Sequence, residues 1–193
     1  MKVFILDDYK VNSYKLPHKV EDSYLINYTY NNEEKNISVQ SVNGIWYIQS
    51  NESISIIDNG RTVDSCQLTN YKIVRLLFTD SDSSVILVCV PSTITNKKDY
   101  SLTNINDLKI GSSQNNNIIF PILDAEHMVI TKENNIWQLT VKNNNIPIYV
   151  NKKRVATTNL VFGDEIFILG LKIIWLNSCI RINDIDNLVM ING

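Results

Sequence analysis

Short apolar runs alternate with polar punctuation along the chain, most regularly between Leu108 and Trp175. In that stretch the runs LKIG, NIIFP, MVIT, IWQLTV, PIYV and EIFILGLKIIW are separated by Asn, Gly, Asp and Pro. Short runs that are rich in β-branched and aromatic residues and spaced by turn formers are typical of an all-β sandwich or barrel. No long segment shows a 3.6-residue apolar period, so the pattern predicts strands throughout.

The first half of the chain shows the same pattern. It predicts strands at residues 2–6, 24–30, 45–49, 73–78 and 85–90. Asn43-Gly44 lies between two alternating runs, and this dipeptide is the strongest short hairpin signal because both central residues of such a turn need a positive φ.

The two halves also match each other. Residues 36–49 (NISVQSVNGIWYIQ) align with residues 127–140 (HMVITKENNIWQLT) at an offset of 91, which superimposes Trp46 on Trp137. A period near half the chain indicates two copies of one small β domain rather than a solenoid.

The repeat predicts the domain organisation. A chain of 193 residues is long enough for one large β domain or two small ones. Because residues 93–106 (TITNKKDYSLTNIN) are polar, we expect a first domain at 1–92, a linker at 93–106 and a second domain at 107–193. As an alternative, residues 100–102 could belong to the first strand of the second domain.

Composition and charge narrow the range of functions. The chain is 44% hydrophobic and 20% charged with a net charge of -2, and its longest basic cluster is Lys152-Lys153-Arg154. Nucleic acid is therefore not an expected partner. The N-terminus MKVFILDDYK is too short in apolar residues and too acidic for a signal peptide, and no apolar stretch approaches the roughly 18 residues of a membrane span. We expect no direct membrane insertion by this fragment.

The spacing of the cysteines does not indicate a disulfide framework or a reactive thiol site. Cys66, Cys89 and Cys179 are widely separated and form no CxxC pair. They are expected to be buried, reduced thiols of a cytoplasmic protein. The sequence also contains no recognisable motif of catalytic or metal-ligating residues, so no catalytic residue, metal or cofactor is expected.

Several motifs follow one another in the second half. They are Gly111, the loop and strand Asn116–Phe120, His127, Trp137, the turn Tyr149–Lys152 and the closing run LVFGDEIFILG at 160–170. This ordered set resembles the forkhead-associated (FHA) family of β-sandwiches. The first half keeps Trp46 and Asn59-Gly60, so the resemblance implies an all-β fold of two tandem FHA-like β-sandwiches, the first more divergent.

The tandem arrangement is similar to the N-terminal region of EssC-type ATPases, the membrane-bound FtsK/SpoIIIE-family motors of type VII secretion. By this resemblance the ATPase modules would lie beyond Gly193. The chain itself has no GxxxxGK[ST] motif and is not expected to hydrolyse nucleotide. The implied partners are other protein components of the secretion system, reached from the cytoplasmic side of the cell membrane.

The resemblance also implies a site for phosphothreonine peptides that is degenerate here. In FHA domains that bind such peptides, the Arg after the Gly and the Ser of Ser-x-x-His hold the phosphate, and a turn Asn holds the peptide backbone. The corresponding positions here are Gly111, Ser112, Asp124, His127, Asn151 and Lys152. Losing a charge-assisted hydrogen bond forfeits about 1.5–3 kcal/mol, and a carboxylate facing the phosphate adds repulsion. The pattern therefore predicts a protein-interaction module that does not depend on phosphothreonine, with His127 bracing the loops.

Other interpretations remain open at this stage. Lys152 or Arg154 could supply the missing charge and preserve a phosphothreonine-peptide module. Lys153 and Arg154 are candidate docking contacts for an acidic partner. The pair could also be a structural spacer, or the sandwich could be an enzyme or a sugar-binding domain. We expect the interaction surface at the loop apices around 112–117, 124–127 and 143–154.

Overall fold

The computed structural model describes residues 1–17, 23–81, 83–91, 96–184 and 189–192. The chain divides into two compact units, Met1–Ser92 and Thr93–Gly193. The described elements are strands joined by turns and loops, which confirms the all-β prediction. No helix in the described part of the chain is long and apolar enough to cross a membrane.

The first unit is a sandwich of two antiparallel sheets. Its strands are β1 (Lys2–Leu6), β2 (Val11–Lys15), β3 (Ser23–Tyr30), β4 (Glu33–Val42), β5 (Ile45–Gln49), β6 (Ile54–Asp58), β7 (Arg61–Val63), β8 (Ser65–Leu68), β9 (Ile73–Phe78) and β10 (Ser84–Val90). The sheet orders are β2-β1-β10-β9-β6-β7 and β3-β4-β5-β8. In β3 the buried residues Ile26, Tyr28 and Tyr30 alternate with exposed ones, as expected for a strand with one face on the core.

The second unit is also built from two sheets. Its strands are β11 (Asn96–Ser101), β12 (Asp107–Gly111), β13 (Ile118–Ile119), β14 (Met128–Glu133), β15 (Ile136–Val141), β16 (Ile148–Val150), β17 (Lys153–Val155), β18 (Thr157–Leu160), β19 (Glu165–Ile168), β20 (Leu171–Trp175), β21 (Cys179–Asp184) and β22 (Met190–Ile191). The sheet orders are β11-β21-β20-β19-β16-β17 and β18-β15-β14-β12-β13-β22. Trp175 is fully buried and meets Trp137 edge-to-face, with ring centroids 5.2 Å apart.

The stretch expected to be a linker is mostly part of the second unit. β11 pairs with β21 along its whole length, from Asn96 opposite Asp184 to Ser101 opposite Cys179. Residues 93–95 lie outside the described residues. The expected linker at 93–106 is therefore too long, since residues 96–101 form an edge strand of the second unit. Edge strands often carry charged residues, so the apolar alternation used for the prediction did not mark this strand.

The structure reproduces the sequence repeat in its hydrogen bonds. Trp46 pairs with Leu68 on β8, and Trp137 pairs with Leu160 on β18. The turns that follow these strands are closed by equivalent bonds, from Lys72 N to Thr69 O and from Asp164 N to Val161 O, both 3.1 Å. The two units are thus copies of one pattern at this turn.

The units differ in the connection between the strands β3 and β4 and the connection between their counterparts β12 and β14. In the first unit, β3 and β4 form a hairpin through Asn31 and Asn32. In the second unit, β12 and β14 are joined by residues 112–127, which include β13. The second unit therefore carries a long surface segment where the first has a tight turn.

Left-handed backbone conformations close the hairpins. Positive φ angles occur at both central residues of the turns Asn31–Asn32, Asn43–Gly44, Asn59–Gly60, Asn134–Asn135, Asn151–Lys152 and Leu169–Gly170. Two-residue turns of this kind match the right-handed twist of the strands, and Asn and Gly tolerate them best. Lys152, with φ of 69°, stands where the first unit has Gly60. Here a long side chain occupies a position that favours glycine.

Replacing Lys152 with glycine is expected to stabilise the second unit. A left-handed conformation costs an L-residue roughly 1–2 kcal/mol, and glycine avoids most of this cost. The midpoint of chemical unfolding of the second unit, followed by tryptophan fluorescence of the chain, should rise for Lys152→Gly. The matched change Gly60→Ala in the first unit should lower stability, and an unchanged midpoint for both variants would contradict the strain argument.

Candidate functional site

Strand directions divide the surface of the second unit into two opposite ends. We define the loop end by the segments 112–127 and 142–147. The turn end carries the turns 134–135 and 151–152 and the segment 161–164. β14 and β16 both run from the loop end to the turn end, since each begins directly after a loop-end segment and is followed by one of the two hairpin turns.

Gly111 fixes the path of the loop end. A Cβ atom at this position would lie 2.5 Å from the carbonyl oxygen of Ala125 and 2.7 Å from that of Asp124. The next two residues use this closeness, because Ser112 N donates to Asp124 O at 2.8 Å and Ser113 N donates to Ala125 O at 3.0 Å. Only glycine allows the end of β12 to approach the backbone of residues 124–125 so closely.

His127 ties the two segments of the loop end together. Its side chain is fully buried, with Nδ1 3.0 Å from Asp124 Oδ2 and Nε2 3.0 Å from the carbonyl oxygen of Ile146. Its carbonyl also accepts a hydrogen bond from Lys142 N at 2.8 Å. The predicted bracing role of His127 is thus visible in the geometry, and Asp124 serves it as a partner.

Asparagine side chains complete the scaffold, and the sequence analysis did not identify them. Buried Asn116 donates from Nδ2 to Ala125 O at 2.6 Å. Asn192, near the end of the chain, donates from Nδ2 to Gln114 O at 2.9 Å and to Asn116 O at 2.8 Å. In a chain this rich in asparagine, no local signal marks these two among the others.

The exposed charges at the loop end are mixed. Lys109 Nζ lies 3.3 Å from Glu126 Oε2, with both side chains about half exposed. The Asp124 side chain is 34% exposed even though it contacts His127. Lys142 is an exposed cation that the sequence analysis also overlooked. This end therefore combines carboxylates and ammonium groups rather than a cluster of positive charge.

The structure separates the expected site residues into two groups. Gly111, Ser112, Asp124 and His127 come together at the loop end. Asn151 and Lys152 instead form the hairpin turn between β16 and β17 at the turn end. β16 (Ile148–Val150) leads from the loop-end segment 142–147 to this turn, so Asn151 and Lys152 lie at the opposite end of the unit from Ser112.

The Asn151 side chain is engaged at the turn end. Its Nδ2 donates to Asp164 Oδ1 at 2.7 Å, and its Oδ1 accepts from Glu165 N at 3.1 Å. The other oxygen of Asp164 accepts from Val161 N at 2.8 Å. Through these bonds Asp164 closes the turn, and the Asn151 amide is engaged within the scaffold. Lys153 and Arg154 follow as exposed residues of β17.

The thiols do not form a reactive centre in the described structure. All three are free; Cys66 and Cys89 are buried and Cys179 is partly exposed. Burial raises the pKa of the Cys89 thiol to about 12. A thiol with such a pKa is almost fully protonated at neutral pH and is a poor nucleophile.

The first unit presents a different surface where its hairpin Asn31–Asn32 replaces the long loop. An open cleft of about 380 Å³ lies there. Its lining consists of carboxylate, hydroxyl and amide groups from Asp8, Tyr30, Asn31, Glu33, Ser81, Ser83 and Ser84. No group of three or more His, Cys, Asp or Glu among the described residues is arranged to hold a metal ion.

Comparison with known proteins identifies the fold. The structure superimposes over its whole length on 96% of the N-terminal FHA domain from EssC, a component of the bacterial Type VII secretion apparatus. The TM-score is 0.63 and the sequence identity is 12%. The fold is FHA-like.

Other comparisons add little. The FHA-2 domain of an ABC transporter from Mycobacterium tuberculosis matches 48% of this chain and 83% of its own length, with 17% identity and a TM-score of 0.37. No protein-family model matches the sequence. No curated protein matches it either.

Adding a methyl group at Gly111 is expected to disrupt the loop end. Gly111→Ala forces the new Cβ atom against two carbonyl groups and should destabilise the second unit by about 1–3 kcal/mol, as overpacking does. Chemical unfolding of the purified variant measures the change. Ser112→Ala is the matched control and should stay within about 0.5 kcal/mol. Equal effects of the two changes would contradict the close-approach argument.

Proposed function

We propose that this chain is a non-catalytic protein–protein interaction module of a membrane-bound type VII secretion ATPase, and that its binding does not depend on phosphothreonine. The loop end of the second unit is the proposed docking surface for other components of the secretion machinery. The fold likeness to the EssC domain supports the setting of this proposal. The hydrogen bonding of the loop end supports the independence from phosphate.

The main support is that backbone N–H groups of the loop end already donate hydrogen bonds to carbonyl groups of the same loop. Ser112 N and Ser113 N donate to the carbonyl groups of Asp124 and Ala125, and Asn116 N donates to Ser113 O. A bound phosphate carries a charge of about -1.5 to -2 and needs several donors together with positive charge. Because these N–H groups are already engaged, a phosphate at this position would find few free donors.

The charge at this position argues in the same direction. The Asp124 side chain remains one-third exposed, and the backbone carbonyl of the same residue accepts the Ser112 N–H. Its carboxylate would repel a phosphate that approaches this part of the loop end. Lys109 is already paired with Glu126. Among the described residues of the two loop-end segments, Lys142 is the one exposed lysine or arginine. One such cation compensates for a phosphate far less than a bidentate arginine does.

The same geometry suits a constitutive partner. Gly111, His127 and Asn192 hold the loop end through close contacts and hydrogen bonds, so its exposed amide and hydroxyl groups are fixed before binding. Preorganisation lowers the entropy lost on association. An unphosphorylated protein surface that offers complementary hydrogen bonds is the partner that such a loop fits best.

The phosphate question can be tested by NMR titration. A degenerate phosphothreonine peptide library added to the 193-residue chain should cause no more shift at Ser112, Asp124 and Lys142 than the unphosphorylated library, at low and at high salt. Phosphate-dependent shifts at these residues in the unaltered chain would refute the proposal and would assign the chain to the phosphopeptide readers.

A gain-of-function variant serves as the control for that titration. The double change Ser112→Arg with Asp124→Ser supplies the residue types expected at a phosphate-binding FHA site. It should bind the phosphorylated library at least about tenfold better than the unaltered chain does, since each charge-assisted bond contributes about 1.5–3 kcal/mol. If the double variant stays silent as well, the assay cannot count as support.

The docking surface can be tested by placing charge at its apices. Asn115→Arg and Asn144→Arg change exposed residues of the two loop-end segments. Each should weaken binding of the chain to the cytosolic parts of the other secretion components at least about tenfold, as expected for a disturbed interface centre. Asn70→Arg changes an exposed residue of the first unit and should have no effect. Equal losses for all three variants would reject the loop end as the surface.

A further inference from the structure

The turn end of the second unit exposes apolar side chains without a structural reason. Val161 is 63% exposed and Phe162 is 68% exposed, and both lie in the turn between β18 and β19. Ile136, at the start of β15, is 52% exposed and lies next to Val161, since Trp137 pairs with Leu160. These three residues form what we call the apolar tip.

The fold does not require apolar residues at Val161 and Phe162, although the first unit also has an exposed isoleucine, Ile45, at the place of Ile136. The turn is closed by the backbone bond from Asp164 N to Val161 O and by the bond from Val161 N to the Asp164 carboxylate. Neither bond involves an apolar side chain. The equivalent turn of the first unit, with the same backbone bond, carries exposed Thr69 and Asn70 at the places of Val161 and Phe162. A polar pair therefore closes this turn equally well.

Basic residues stand directly beside the apolar tip. Asp164 accepts hydrogen bonds from both Asn151 and Val161, at 2.7 and 2.8 Å, so it holds the turn of Lys152 and Lys153 against the tip. Both lysines are exposed. On the neighbouring hairpin, Lys132 and Glu133 offset each other in charge. Glu165 is paired with Lys172, and Lys152 and Lys153 together outweigh the single carboxylate of Asp164, so the local excess at the tip is positive.

We propose that the apolar tip inserts into the interface of an anionic membrane, with Lys152 and Lys153 in contact with the lipid headgroups. Side chains exposed to this extent project from the turn into solvent. Such a projection suits a soft interface better than a folded partner, which would need to supply a groove or pocket. Apolar side chains reach the boundary between headgroups and acyl chains, while nearby lysines interact with anionic lipids. The chain would adsorb to the surface without a spanning segment, a shallow contact that departs from the sequence-based expectation of no direct membrane insertion. This inference does not depend on the partner of the loop end.

Vesicle co-sedimentation tests the inference directly. The 193-residue chain should sediment with phosphatidylcholine vesicles that contain about one-third phosphatidylserine. Binding to pure phosphatidylcholine vesicles should be much weaker, and high salt should reduce binding to the anionic ones. Absence of binding to anionic vesicles would overturn the inference and leave the tip to an acidic protein partner.

Two sets of variants separate insertion from simple charge attraction. The double change Val161→Thr with Phe162→Asn installs the residues of the first unit in the same turn and should reduce binding about tenfold or more. Lys152→Glu and Lys153→Glu should each reduce it at least about fivefold, the equivalent of roughly 1 kcal/mol per basic residue near the surface. Binding that depends on the lysines but not on Val161 and Phe162 would overturn the insertion mechanism.

Matched changes elsewhere guard against non-specific effects. Leu25→Thr removes an apolar side chain of the first unit that is 52% exposed, and Lys97→Glu reverses an exposed charge on β11. Both variants should bind the anionic vesicles as the unaltered chain does. Losses as large as those at the tip would show that total hydrophobicity or net charge controls binding, and would overturn the assignment to this end.

Discussion

The left-handed conformation of the hairpin turns is the constraint on which both sandwiches depend. A two-residue turn fixes the register of the strands that it joins, and a shift of one residue would move every side chain to the opposite face. Asn134 and Asn135 set the register of β14 with β15, which brings Trp137 into the core opposite Leu160. The same register decides at which end of the sandwich each exposed residue appears.

Local signals in the sequence were sufficient for the fold. Alternating apolar runs predicted β1, β5 and β9 with their observed bounds, and the Asn43-Gly44 dipeptide predicted the hairpin between β4 and β5. The repeat carried this information from one unit to the other. The hydrogen bonds of His127 and Asp164 reach further, because their partners Ile146 and Asn151 lie 19 and 13 residues away along the chain.

The positions of residues that depend on the arrangement of strands were not predictable in this way. The order of residues along the chain does not reveal that Asn151 and Ser112 lie at opposite ends of the second unit. Only the direction of β16, the strand before Asn151, determines this. β11 looked like a linker because an edge strand needs no apolar alternation. Asn192 supports the loop end from 76 residues away along the chain from Asn116, so no short motif could indicate it.

The two units keep one backbone geometry but stabilise it with different chemistry. In the second unit, a hydrogen bond from Asn151 to Asp164 joins the turn after β16 to the turn before β19. In the first unit, Lys72 and Asp58 join the matching turns through an ion pair of 2.6 Å, whose hydrogen bond raises the pKa of Lys72. Because either pair closes the fold, the residues around it are free to diverge. The exposed ends of the two sandwiches therefore differ in sequence, whereas packing constrains their cores.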